Sequence, residues 1–282
     1  MAAVALVLHP LRPLARRLAA EAAEWLEARG HEARVPEGDA REGLSRWAWP
    51  TPDLADGLDL AVSLGGDGTI IRTVELVSGC GAPVLGVNVG HLGYLTEVEA
   101  GDLLPSLERF LAGDYRVEER MTLAVDVEGQ EQKASCSALN EAVLEKTVSG
   151  HTIRVALSVN GEPFTTYAAD GLIVSTPTGS TAYNFSARGP IVSPRHRAVV
   201  VTPVSAHMLF DRSLVLGPEE SLRLEVLDGR AAALVVDGRQ AAVLGTGDAV
   251  NCRAGPHDAR FVSFGRRDFH QILKAKFGLA DR

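Results

Sequence analysis

The chain has 282 residues, 46% of them hydrophobic and 23% charged, with a formal net charge of -8. That length builds one large domain or two of ordinary size around a substantial core, and the composition excludes a disordered chain. The acidic balance argues against an electrostatic nucleic-acid footprint, and the absence of any run of about 18 apolar residues argues against a membrane span.

Val4–Leu8 is a compact apolar run and reads as a first buried strand. With its neighbours Ala2 and Ala3 it lacks the basic flank of a signal peptide. Leu14, Leu18, Ala22, Trp25 and Leu26 recur at helical spacing before a Gly30 stop, and His31–Val35 is a second candidate strand. Residues 37–58, with Pro50 and Pro52, read as loop with at most one short helix. Leu58–Leu64 is again strand-like, followed by Gly65-Gly66-Asp67-Gly68, a helical stretch Thr69–Val77 and a strand Val84–Val87. This rhythm predicts a mostly parallel sheet covered by helices, with ligands beyond the carboxyl ends of its strands.

After a helix near Asp102–Leu111 the pattern becomes β-rich. Met121–Glu128, Gln132–Leu144, Thr152–Val159, Gly171–Ser175, Val199–Thr202, Ser221–Val226 and Ala232–Val236 all read as strands. Asn160-Gly161 and Asp228-Gly229 carry hairpin signals, and Phe269–Phe277 returns to a helical pattern. The expected division is an α/β domain over residues 1–118, a β-rich, sandwich-like domain over 119–255, and a tail over 256–282 whose helix packs back on the first domain. Cys80, Cys136 and Cys252 are isolated and odd in number, with no CxxC clip, which points to a reducing compartment, the cytoplasm.

Three sites carry chemistry. Gly65-Gly66-Asp67-Gly68-Thr69 lets a ligand approach the backbone and aims successive amides, backed by a helix N-terminus, at an anion. Its glycines permit positive φ angles, and Asp67 suits a base on a hydroxyl nucleophile or, alternatively, a helix N-cap. The loop lacks the P-loop lysine, and Ile71 occupies the third glycine position of GxGxxG, which excludes a Rossmann dehydrogenase. The segment Asp170–Tyr183 runs from a short apolar strand into a cluster of hydroxyls suited to ribose, phosphate or amide recognition, and Tyr183 offers a face for a base. Asn140-Glu141 interrupts an otherwise apolar strand from Ala138 to Leu144; at least one of the pair is expected to be buried, and therefore hydrogen-bonded. Of the eight histidines, His9, His31, His196 and His257 read as surface or structural, and none has metal-ligand spacing.

Taken together these segments resemble the NAD kinase family. GGDGT, the Asn-Glu pair and DGLIVSTPTGSTAY occur in the family's order. Gly86-Val87-Asn88-Val89-Gly90-His91-Leu92-Gly93-Tyr94-Leu95-Thr96 resembles its GxNxGxLGFLT stretch, and Gly189-Pro190-Ile191-Val192 its continuation. The resemblance runs from Leu58 to about Gln240. It implies NAD bound between the two domains, with ATP or polyphosphate as phosphoryl donor and a divalent cation, Mg²⁺, neutralising the donor phosphates. Asp67 would engage the 2′-hydroxyl of the adenosine ribose, with Gly68 beside it, and Arg72 would face phosphate charge. Asn140, Glu141, Asp170, Thr181, Ala182, Tyr183, Asn184, Phe185 and Ser186 would bind the dinucleotide, and His151, Ala168 and Gln240 occupy further positions that the family uses.

Asn184-Phe185 departs from the usual small or apolar pair, and Arg188 stands where glycine is common. The Pro203–Arg212 stretch, with Ser205 and His207, resembles a segment near the family's subunit interface, which implies a homodimer or homotetramer. Two rivals stand beside a kinase acting on NAD. One is a lipid or sugar kinase sharing GGDGT; the other is a non-catalytic NAD-sensing protein.

Overall fold

The computed structural model describes residues 1–90, 92–129, 133–227, 229–265 and 268–279. The chain forms two compact units, Met1–Glu119 with Ala259–Arg282, and Arg120–Asp258.

The first unit is built on an eight-stranded sheet. Its strands run in the order Ala48–Trp49, Glu32–Pro36, Ala3–Leu8, Leu60–Gly65, Val84–Asn88, Ala259–Ser263 and Arg116–Arg120, with Val98–Glu99 also beside Val84–Asn88. Ala3–Leu8 pairs in parallel with Glu32–Pro36 on one side and Leu60–Gly65 on the other. Every residue of Ala3–Leu8, Leu60–Gly65 and Val84–Asn88 is buried. That explains their unbroken apolar runs, since a parallel strand is covered on both faces. The strand order reverses between Ala3–Leu8 and Leu60–Gly65, and the crevice beyond their carboxyl ends is where such sheets take ligands.

The helix Pro13–Glu27 starts on Pro13 and buries Ala15, Leu18, Ala19, Ala22, Ala23 and Leu26. Leu14, expected on that face, is instead exposed, and Ala15 takes the inward position. Residues 37–58 hold two short 3₁₀ turns and the two-residue strand Ala48–Trp49. The tail helix Phe269–Phe277 is capped by Asp268, which accepts from the His270 amide, and ends on left-handed Gly278. It packs back on this unit, with Lys276 Nζ 4.2 Å from the centre of the Tyr94 ring.

The second unit consists of two six-stranded antiparallel sheets sharing one core. Alternation along Ile153–Val159 and Leu222–Val226 turns one face of each strand inward. The single strand expected over residues 132–144 is two strands in different sheets, Lys133–Ala138 and Glu141–Lys146; Gln132 lies outside the described residues. The chain crosses between sheets at Leu139-Asn140, whose amides donate to the Asp237 carboxylate and whose carbonyls accept from the Ser175 and Thr176 hydroxyls and the Thr176 amide. The Asn160-Gly161 hairpin forms, with both residues at positive φ. The hairpin expected at Asp228-Gly229 does not: Leu222–Val226 and Ala232–Val236 belong to different sheets, and Asp228 lies outside the described residues. Glu162–Ala169, Leu214–Leu216, Arg239–Leu244, Ala249–Ala254 and Ala259–Ser263 are strands that the pattern reading did not mark.

Asn184 is fully buried in the short helix Tyr183–Ser186. Its Nδ2 donates to Pro190 O (3.1 Å) and Ser180 O (3.4 Å), and its Oδ1 accepts from Thr202 Oγ1 (2.6 Å). The side chain expected to touch substrate therefore ties the turn after Ser180 to the strand Val199–Val204. Arg188 has φ +65°, which explains why glycine suits that position. Asn184→Ala should leave several buried partners unsatisfied and cost about 2–4 kcal/mol. Chemical denaturation would show this as a lower midpoint with an unchanged slope.

Candidate active site

In the first unit the helix Asp67–Leu76 begins directly after the strand Leu60–Gly65. Gly66 is its N-cap residue and Asp67 its first helical residue, and no side chain caps it. Asp67 is therefore not an N-cap. Its Oδ2 accepts from the Tyr94 amide (2.8 Å) and its Oδ1 from the Leu95 amide (3.0 Å). A Cβ at Gly93 would overlap Asp67 Oδ1, so glycine there lets the loop close on the carboxylate. The Tyr94 phenol is raised above its ordinary value by burial and by the charge of Asp67. None of Gly65, Gly66 and Gly68 adopts positive φ. Gly65 is needed because a Cβ would strike Thr69, while the space beside Gly66 and Gly68 is open.

That open space belongs to a cavity of about 360 Å³ lined by His9, Pro10, Arg12, Gly66, Gly68, Thr69 and Arg72. It lies beyond Leu8 and Gly65, at the switch point of the sheet. Arg72 lines it but is already committed: Nη2 pairs with the buried Asp39 at 2.6 Å and Nη1 donates to Leu8 O at 3.1 Å. Arg12 donates to Val89 O and has no carboxylate partner among the described residues. It is the uncompensated cation of the cavity, together with the helix N-terminus. Sequence reading passed over Arg12 and took His9 as surface or structural; the only signal was their position just after the first strand. His91 lies outside the described residues.

In the second unit, Glu141–Lys146 runs antiparallel to Gly171–Ser175, with Glu141 opposite Ser175 and Glu145 opposite Gly171. The two motifs interlock at Asn140. Its carbonyl accepts from the Thr176 amide at 2.8 Å, and Leu139 O accepts from Thr176 Oγ1 at 2.6 Å. A Cβ at Gly179 would overlap the Asn140 backbone. Most hydroxyls of the cluster are used internally: Ser175 donates to backbone carbonyls, and Ser180 both donates to Val192 O and accepts from its amide. Thr178 Oγ1 is the exception, buried without a partner.

Glu141 is buried at 7% exposure and accepts from the Tyr183 amide, while its Oε2 has no partner. Burial, and then the charge of Asp237, push its carboxyl up to about 8. Tyr183 is raised by burial and by Glu145, Asp170 and Glu141, so its phenol lies within electrostatic reach of both ends of the Glu141–Lys146 strand. Asp170 Oδ1 pairs with Lys146 Nζ at 2.7 Å.

Thr181 and Ala182 are half-buried, whereas Tyr183, Phe185 and Ser186 are exposed. Gln240 is exposed on the hairpin whose turn carries Asp237. Ala168, paired with Arg154, accepts on its carbonyl from the His207 amide. His151 is exposed and makes no hydrogen bond or ion pair among the described residues. Asp237 itself was missed, although Asp237-Gly238 between two apolar runs is a hairpin signal.

Family models for the ATP-NAD kinase N-terminal and C-terminal domains match residues 4–115 and 139–264. The chain belongs to the NAD kinase family. The NAD kinase of Heliobacterium modesticaldum is 44% identical over 282 residues, covering 98% of each chain. That of Geobacter metallireducens is 40% identical over 272 residues, covering 96% of each. Yeast NADH kinase complexed with NADH superposes with a TM-score of 0.91 at 25% identity, covering 100% of this chain and 89% of that one. An Archaeoglobus fulgidus NAD kinase in complex with ATP shares the fold, with a TM-score of 0.76 at 24% identity, covering 99% of this chain and 100% of that one. Family membership thus extends over both termini, where the motif resemblance weakens.

Two expectations follow for this family member. Gly93→Ala should push Asp67 off the two amides, so turnover should fall sharply while thermal stability changes little. The second concerns pH. Between the ordinary 4.5 of a glutamate and about 8, the folded chain keeps a proton on Glu141 that the unfolded chain has lost. Stability is therefore lost as pH rises through that window. Glu141→Gln should melt close to the parent near about pH 5 and above it near about pH 8, as differential scanning calorimetry would show.

Proposed function

We propose that the chain is an NAD kinase that transfers the terminal phosphoryl group of ATP to the 2′-hydroxyl of the adenosine ribose of NAD. The observation that carries the reading is Asp67. Its carboxylate is pinned by two backbone amides instead of capping its own helix, and it is only half-buried. Each oxygen keeps lone-pair capacity for an incoming hydroxyl. Phosphoryl transfer is carried mainly by positioning and by stabilisation of charge on the transferred group. Asp67 orients the hydroxyl and accepts its proton. The amides beside Gly66 and Gly68 and the Arg12 guanidinium receive the donor's phosphates. Asn140, Glu141, Asp170, Thr181, Ala182, Tyr183, Phe185 and Ser186 bind the dinucleotide, with Asn184 holding their turn in place.

Among the described residues no group of three or more His, Cys, Asp and Glu side chains gathers into a metal cage. A divalent cation is read as part of the substrate, carried on the donor's phosphates, as Mg²⁺ usually is. The Archaeoglobus relative bound to ATP supports a nucleoside triphosphate donor; polyphosphate offers the same linked phosphates. We further read the protein as cytoplasmic, supported by the isolated placing of its three cysteines in the sequence, and as a homodimer or homotetramer. The second unit presents exposed Phe164, Leu209, Phe210 and Val215, which supports self-association. No helix among the described residues is long and apolar enough to cross a membrane.

The test is purified protein with NAD, MgATP and a dehydrogenase that reports NADP. Asp67→Asn should lose roughly 10²–10⁴ in turnover. Arg12→Met should raise KM for ATP about tenfold or more while leaving KM for NAD near its original value. Full turnover in Asp67→Asn would remove Asp67 from the mechanism. NAD binding without NADP from either ATP or polyphosphate would favour a sensing role.

A further inference from the structure

Asp237 stands in the turn between the strands Ala232–Val236 and Arg239–Leu244, at φ +46°, ahead of Gly238. That backbone region is rarely adopted outside glycine, asparagine and aspartate. Its carboxylate accepts three amides in succession: Leu139 on Oδ2 at 2.7 Å, and Asn140 and Glu141 on Oδ1 at 2.8 and 3.0 Å. In return the Asp237 amide donates to Glu141 O at 3.0 Å. The break between Lys133–Ala138 and Glu141–Lys146 is thus held by one side chain from a turn about a hundred residues away.

The Asp237 carboxylate therefore lies against the Glu141 backbone and within electrostatic reach of the Glu141 carboxyl, and the two acids are unequally supported. Asp237 is stabilised as an anion by three N–H donors; Glu141 accepts one, from Tyr183, and its Oε2 is buried with no partner. Neighbouring carboxylates do not both ionise readily, and the proton belongs on Glu141, the more buried of the two and the one with fewer donors. An orphaned, protonated Oε2 is a hydrogen-bond donor without an acceptor. The other charged and titratable groups around it do not supply one. Tyr183 lies on the overlying helix, Glu145 and Lys146 lie further along the same strand, and Lys146 is engaged by Asp170. Arg239 leaves the Asp237 turn as an exposed cation.

We propose that Asp237 is a positioning residue for nucleotide binding: it fixes the Asn140-Glu141 backbone and keeps Glu141 as an uncharged acid whose Oε2–H donates to an acceptor atom of the bound dinucleotide. This rests on the dinucleotide reading of the second unit, and it adds a sign. Glu141 serves as donor, not as anionic acceptor, and nucleotide affinity falls in alkaline solution.

The test is calorimetric titration of NAD into the full chain, without donor, from about pH 6 to about pH 9. The parent should bind with constant affinity at the acid end and lose about tenfold per pH unit once Glu141 ionises. Glu141→Gln, which keeps an N–H donor at that place, should bind within about threefold of the parent at the acid end and show no alkaline loss. Asp237→Asn should move the onset of the loss to lower pH, and Tyr183→Phe should leave it in place. A parent affinity independent of pH, with Glu141→Gln weakened throughout, would make Glu141 an anionic acceptor and overturn the proposal. Should Asp237→Asn not fold, the Glu141→Gln profile decides alone. Absence of NAD binding at every pH would overturn the dinucleotide reading itself, and this inference with it.

Discussion

The second unit depends on how its chain crosses from one sheet to the other at Leu139-Asn140-Glu141. A crossing breaks the strand ladder and leaves consecutive amides and carbonyls without partners, at a place where Leu139 and Glu141 are buried. Asp237 takes the three amides, and Ser175 and Thr176 take the carbonyls of Leu139 and Asn140. Gly179 lets the following turn close against the same backbone. Once those obligations are met, Glu141 Oε2 and Thr178 Oγ1 remain as buried polar atoms with unfilled capacity. The crossing is rigid because its backbone is satisfied, and receptive because two side-chain atoms are not.

The first unit solves the opposite problem. An aspartate at the start of a helix ordinarily folds back onto the helix's own amides, as a cap. Here the loop carrying Gly93, Tyr94 and Leu95 offers its amides instead. The helix N-terminus therefore stays unblocked towards the cavity that holds Arg12. A capped helix would keep the fold and lose the unblocked amides at that cavity. The Gly93 loop makes one carboxylate and one row of amides separately available.

Much of this was legible in sequence. The buried parallel strands announce themselves as unbroken apolar runs, and the tail helix Phe269–Phe277 has the bounds expected of it. GGDGT marked the start of the helix beside the cavity, and the segment from Asp170 to Tyr183 marked the turn that interlocks with Asn140. What was hidden depends on distant partners. Nothing local says that Asn140 ends a strand, because the apolar run continues across it; the switch of sheets is enforced by Asp237, 97 positions away. The hydroxyls around Thr176 looked like ligand contacts because composition cannot distinguish a hydroxyl facing a ligand from one facing a carbonyl. Asn184 looked like a substrate contact for the same reason, yet its amide is consumed by Ser180, Pro190 and Thr202. Arg12 escaped because a lone arginine after a strand has no motif; only the fold brings it to Gly66.

One regularity links the acids of the two units: the number of backbone amides each accepts matches the task it can perform. Asp237 accepts three, which leaves its oxygens largely satisfied and suits it to holding a backbone. Asp67 accepts two, one on each oxygen, enough to fix its orientation while leaving each oxygen able to meet a hydroxyl. Glu141 accepts one and is buried near a better-supported anion, which together push its carboxyl up. The anchor, the proposed base and the proposed donor are one functional group, set apart by the amides that reach it. In a chain whose net charge is -8, that local supply of N–H donors, more than overall electrostatics, determines which carboxyl does which work.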